Sequence, residues 1–170
     1  GKTDFMNIPS VPAAVVYDFA NRKNSALYPD ADLGAKAFQN AVEGSIKVGK
    51  AGAGSNIRVG KFFSGTEAKA SGQGAAMKSW DLPGGEPLKI FCFSVVNAVG
   101  NILDLQGRVL HGSEPHKRSM FEALDQKMKD RSKPSAQNSG NTTLSLVVTN
   151  ADLDRLELSR LGAMVHTSCL

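Results

Sequence analysis

Gly140-Asn141-Thr142-Thr143-Leu144-Ser145-Leu146-Val147-Val148-Thr149-Asn150 is the stretch on which the reading of the fold turns. Thr142 to Thr149 has the length of a strand, is rich in Val, Leu and Thr, and is bounded by Asn and Gly. It reads as a buried strand. The residues ahead of it, Lys133-Pro134-Ser135-Ala136-Gln137-Asn138-Ser139-Gly140, are polar and contain glycine, as an exposed linker would be. A strand that opens on a hydroxyl residue behind an exposed loop suits an N-terminal nucleophile. Scission of the Asn141–Thr142 bond would give Thr142 a free α-amine, with an unperturbed pKa of about 8, to take the proton as its hydroxyl attacks. Composition alone favours the plainer reading, in which these threonines simply populate a strand.

A chain of 170 residues is enough for one domain, and 41% hydrophobic residues can furnish a core. The 17 glycines point to many turns or close backbone approaches. Net charge is +4, with lysines and arginines scattered except at His116-Lys117-Arg118 and Lys127-Met128-Lys129. With so little aromatic interleaving, a solvated surface is the reading and no nucleic-acid partner is expected. Cys92 lies in an apolar run and reads as a buried reduced thiol. With Cys169 it makes neither a disulfide scaffold nor a zinc site. His111, His116 and His166 share no ligand spacing, so neither metal nor other cofactor is expected. No signal peptide is visible, nor an apolar run approaching the length of a membrane span. A cytoplasmic protein without a membrane partner is the expectation.

Outward from the central strand, residues 1–12 read as a tail or cut edge, and Ala13 to Phe19 as a short strand. Asn21 to Asn24 suggests a turn. Leu33, Ala37, Phe38 and Ala41 recur at helical spacing over 31–42, with Asp30 placed to cap the start and Gly44 just past the end. Glycine recurs through 44–60, but the stretch lacks the Gly-Lys-Ser/Thr ending of a phosphate loop. A tight packing corner, or a backbone lying close to a substrate, explains it better. Gly72-Gln73-Gly74-Ala75-Ala76 reads as a small-residue turn, and Pro83-Gly84-Gly85 as a loop. Leu88 to Asn97 is the clearest buried strand, with Asn97 at the point where the run breaks. Val99 to Leu105 alternates and turns at Gln106-Gly107 into Arg108-Val109-Leu110, as a hairpin. Phe121 to Met128 reads as a short amphipathic helix. Asp154 to His166 reads as another, with Asp154 and Glu157 spaced as a capping box. Helices and mostly antiparallel strands segregate along the chain, which predicts an α+β layered domain.

Asn141-Thr142-Thr143-Leu144 with Val147-Val148-Thr149-Asn150 resembles the self-processing segment of the L-aminopeptidase/D-amidase/esterase family. The likeness continues through Ala14-Val15-Val16-Tyr17-Asp18-Phe19, Tyr28-Pro29-Asp30, Gly49-Lys50-Ala51-Gly52-Ala53-Gly54, Gly60-Lys61, Gly72-Gln73-Gly74-Ala75-Ala76 and Val96-Asn97-Ala98-Val99-Gly100. Within that family the set is most similar to the hydrolases of aminohexanoate (nylon) oligomers, which use Thr where many relatives use Ser.

The resemblance implies an αββα sandwich of the N-terminal-nucleophile type and hydrolysis of short amides or peptides. It implies autocleavage between Asn141 and Thr142, with Thr142 as nucleophile. Lys61 would place positive charge near the Thr142 hydroxyl, Asn97 would donate to the oxyanion, and Tyr17 would position the reacting groups. On this pattern residues 13–141 are an α-subunit-like part and 142–170 the start of a β-subunit-like part of one domain. Relatives carry a longer segment before 13 and an Asp-Gly-Asp-type motif after 168. The sandwich is therefore expected to be incomplete at both ends, with a homo-oligomer or further subunit segments completing it. Two alternatives stand beside the amidase: a non-catalytic assembly fragment of the same family, and an acyl-transferase resembling ornithine acetyltransferases.

Overall fold

The computed structural model describes residues 12–18, 28–61, 68–113, 125, 128, 129 and 140–168. Three long strands form its antiparallel sheet: β3 (Gln73–Trp80), β4 (Leu88–Asn97) and β7 (Thr142–Thr149), with β4 in the middle. Two smaller antiparallel pairs flank the chain path. One joins β1 (Arg58–Val59) to β2 (Lys69–Ala70), the other β5 (Ile102–Leu103) to β6 (Val109–His111). Helices α1 (Ala31–Gln39) and α2 (Arg155–Thr167) complete a mixed α+β arrangement, as the pattern predicts.

Local chemistry accounts for most of these elements. The Asp30 carboxylate caps α1 by accepting from Leu33 N at 2.8 Å. The helix ends at Gln39, ahead of the expected Val42, where the Asn40 amide turns back onto the Lys36 carbonyl. Helix α2 opens on a complete capping box. Asp154 accepts from Glu157 N and Glu157 accepts from Asp154 N, both at 2.8 Å. The expected hairpin forms, with Asp104 Oδ1 accepting from Gln106 N and Arg108 N and Gly107 at φ 78°. Of the helix expected over 121–128, Asp125 and Met128 are described, and both are helical. The turn expected at 21–24 lies outside the described residues, as does the linker ahead of Gly140.

Neither Cys92 nor β7 is buried as expected: Cys92 is half-buried and no residue of β7 is fully buried. Two further expectations, on secondary structure, are corrected. Gly72 to Ala76 is not a turn: Gln73 begins β3, which pairs in unbroken register with β4 from Gln73↔Val95 to Trp80↔Leu88. Gly72, just ahead of β3, serves a packing corner. The glycine-rich loop lies against this strand start, with Gly49 N donating to Gln73 O and Gln73 N to Gly49 O. A Cβ on Gly72 would collide with the Gly49 carbonyl, and one on Gly54 would come 2.5 Å from Gln73 N. The second correction concerns Ala13 to Phe19, since the described residues 12–18 form no strand. Their polar groups are spent on distant side chains rather than on a ladder, as the Tyr17 carbonyl and the Asp18 carboxylate show.

Among the described residues the buried large apolar side chains, Ile57, Val59 and Val95, gather where β1 meets the end of β4. Buried with them are the polar Arg58, Lys61, Ser71, Asn97 and Ser113. Among the described residues no helix is long and apolar enough to cross a membrane.

Candidate active site

The end of β4 faces the start of β7, with Asn97 directly opposite Thr142. Opposed residues of an antiparallel pair share one face of the sheet, so the Thr142 hydroxyl and the Asn97 amide emerge on the same side. Asn97 is fully buried, whereas Thr142 is half-buried.

Every polar group of the Asn97 side chain is engaged. Its Oδ1 accepts from Lys61 Nζ at 2.7 Å and from Arg58 N at 3.3 Å. Its Nδ2 donates to the Tyr17 carbonyl at 2.9 Å and to the Gly140 carbonyl at 3.3 Å. Lys61 is brought here by its own main chain, because Gly60 N and Lys61 N donate to the Gly100 and Val99 carbonyls, both at 2.7 Å. Gly60 makes that path with φ 70°, where a Cβ would strike Ser113 N.

Lys61 Nζ lies among four acceptors: Gly140 O at 2.5 Å, Asn97 Oδ1 at 2.7 Å, Asp18 Oδ2 at 3.3 Å and Asn97 O at 3.4 Å. A group surrounded by acceptors is a donor, so the geometry fits the ammonium form. Burial pushes the Lys61 pKa below its ordinary value, and the Asp18 carboxylate opposes that shift without cancelling it.

Asp18 in turn is held by Arg58, through Nε–Oδ2 at 3.2 Å and Nη2–Oδ1 at 2.8 Å. All three charged side chains are at most 3% exposed. Sequence reading passes over Asp18 and Arg58 as site residues. The signal available is thin: a carboxylate ending one apolar run and an arginine lodged between Ile57 and Val59.

Lys61, Asn97 and Thr142 therefore converge. Tyr17 joins them through its main-chain carbonyl, while its side chain is half exposed. Lys61 and Asn97 meet at the Gly140 carbonyl, two residues ahead of Thr142. Gly140 must be glycine here, because any Cβ would collide with the Tyr17 carbonyl oxygen. Among the described residues no group of His, Cys, Asp and Glu is clustered to hold a metal ion.

No protein-family model matches the chain. Similar proteins include the 6-aminohexanoate-oligomer endohydrolases of Paenarthrobacter ureafaciens and of Kocuria sp. (strain KY2). Each is 33% identical over 98% of this chain and 46% of its own length. A NylC-analogous protein of Agromyces sp. (strain KY5R) is likewise 33% identical, over 98% of this chain and 53% of its own length. The chain spans about half the length of the curated relatives it matches. Over nearly all its residues it is thus similar to about half the length of the 6-aminohexanoate-oligomer endohydrolases.

Proposed function

We propose that this chain is the nucleophile-bearing segment of a self-processing amide hydrolase that acts on short amide oligomers or peptides. The names of its relatives support amide hydrolysis of aminohexanoate oligomers as the reaction class. The observation that carries the processing step is the grip of Lys61 Nζ and Asn97 Nδ2 on the Gly140 carbonyl, next to the Asn141–Thr142 bond. The sheet would then form one layer of an αββα sandwich of the N-terminal-nucleophile type.

In this reading the Thr142 hydroxyl attacks the Asn141 carbonyl carbon. The C–N bond to Thr142 breaks, the hydroxyl proton passes to the departing nitrogen, and an ester joins Asn141 to the Thr142 oxygen. Water cleaves the ester, leaving an Asn141 carboxylate, a Thr142 hydroxyl and a free α-amine that serves as base in later turnovers. Both Nδ2 protons of Asn97 are occupied in the uncut chain, so the amide donates to a substrate oxyanion only after Gly140 withdraws. Withdrawal frees one Asn97 N–H and one Lys61 N–H together, two donors for one developing oxyanion.

Intact mass of the denatured full-length protein, with N-terminal sequencing of any fragment, tests the processing step. Two pieces, one beginning Thr-Thr-Leu-Ser, are expected, and Thr142→Ala should give one piece and no amide turnover. An uncut wild-type chain without turnover would favour the assembly fragment instead.

A further inference from the structure

We propose that Asp18, braced by Arg58, is the positioning residue that holds Lys61 against the Gly140 carbonyl; this rests on the reading above. Lys61 needs such a hold for a geometric reason. Its ammonium has three protons and four acceptors, and three of those acceptors, Gly140 O and both Asn97 oxygens, are neutral. Only Asp18 supplies opposite charge. A lysine stem is flexible and its head strongly hydrated, so a buried ammonium facing neutral carbonyls alone would be drawn towards water.

Asp18 cannot drift to follow it. Arg58 takes one carboxylate oxygen with Nη2 and the other with Nε, and this planar fork fixes the plane of the carboxylate. The oxygen that meets Nε also meets Lys61. Arg58 is itself anchored, since its main-chain N–H donates to Asn97 Oδ1. Asp18, Arg58, Lys61 and Asn97 therefore close a ring of contacts drawn from three separate segments of the chain. Residue 17 contributes its carbonyl to the same ring, so the 17–18 segment locates both Asn97 and Lys61. Among the described residues, the charged groups facing Lys61 are Asp18 and Arg58.

The test follows self-cleavage of the full-length protein by intact mass over time, across a range of pH, with a thermal melt for each variant. Lys61 acts as an ammonium donor, so the rate is expected to fall on an alkaline limb as Lys61 loses its proton. Asp18→Asn removes the charge that favours the ammonium. It should cut at least tenfold more slowly at the optimum, with the limb moved to lower pH. Asp18→Glu keeps the charge and should return to within about threefold of wild type, with the limb restored. A normal rate and an unmoved limb in Asp18→Asn would overturn the proposal.

Should Asp18→Asn melt below the assay temperature, Arg58→Lys decides, because it keeps the positive charge but loses the fork. A displaced limb with a normal melt supports the positioning role, and an unmoved limb overturns it. If wild type itself stays uncut, the processing reading fails. If wild type cuts and only the Asp18 and Arg58 outcomes go against expectation, the positioning role alone fails.

Discussion

At the scale of single residues, Lys61 ties stability and chemistry to pH in opposite directions. Its folded-state pKa is lowered from 10.5, so between the lowered value and 10.5 the unfolded chain binds more protons than the folded one. Stability from this group is therefore lowest while the ammonium is buried, and rises as pH climbs through the folded pKa. The contacts to Gly140 and Asn97 need the ammonium and are lost over the same range. Raising pH through that window is expected to slow self-cleavage without lowering the unfolding midpoint, and Lys61→Met should flatten both trends. Parallel urea melts and cleavage time courses would check this. A midpoint that fell together with the rate would show that the limb reports unfolding. Gly140 makes a second prediction. A side chain there would displace the segment from both donors, so Gly140→Ala should abolish or slow cleavage at least tenfold by intact mass. The melt should fall as well, because the added Cβ meets the Tyr17 carbonyl and displacing the segment costs the Lys61 and Asn97 donors an acceptor, so cleavage is read well below the variant's own midpoint. A normally processed Gly140→Ala would place the scissile segment elsewhere.

Elements were legible where their cause is local. The caps of α1 and α2, the hairpin at Gly107 and the strands β4 and β7 each follow from residues within a few positions of one another. The start of β3 was not legible, because Gly72 and Gln73 answer to the loop at 49–54 rather than to their neighbours in sequence. Of the strand expected at Ala13 to Phe19, the described residues 13–18 form none for a similar reason, the Tyr17 carbonyl and the Asp18 carboxylate being claimed by Asn97, Arg58 and Lys61. Two substitutions separate local from tertiary causes. Asp154→Ala removes one arm of the capping box and should cost about 1 kcal/mol, the ordinary worth of such a cap, by urea denaturation. Gly72→Ala is a smaller chemical change but forces backbone apart at the packing corner. It should cost more than the cap does, about 2 kcal/mol or above, on the scale of an overpacked site. Equal losses for the two would mean that the corner yields without strain.

Across the whole molecule, the site and the best-buried residues coincide. Ile57, Val59 and Val95 surround the same strand ends that carry Arg58, Lys61 and Asn97. Thr142 was suggested weakly by its place at the start of a strand behind a polar linker, whereas Lys61 and Asn97 stood out only through a family resemblance, because no local pattern reveals which amine or amide faces the others. Asp18 and Arg58 stayed hidden because an ion pair across some 40 positions leaves no periodicity. The apolar face of the sheet tells of packing beyond these residues. Met77, Phe91 and Val148 stand in one cross-strand row and Ala75, Phe93 and Leu146 in the next, on the face that also carries Asn97 and Thr142. Met77 is 68% exposed, Leu146 59% and Val148 51%, so this face presents apolar side chains to solvent. Expressed as the 170-residue polypeptide, the chain is expected to bind an environment-sensitive apolar dye and to elute above its 18.0 kDa monomer mass. Leu146→Lys sets a charge in the middle of the face without touching the residues of the ion ring. It should lower dye binding severalfold and shift the population towards monomer, as read by light scattering. A variant that left both readings unchanged would show that this face is solvated.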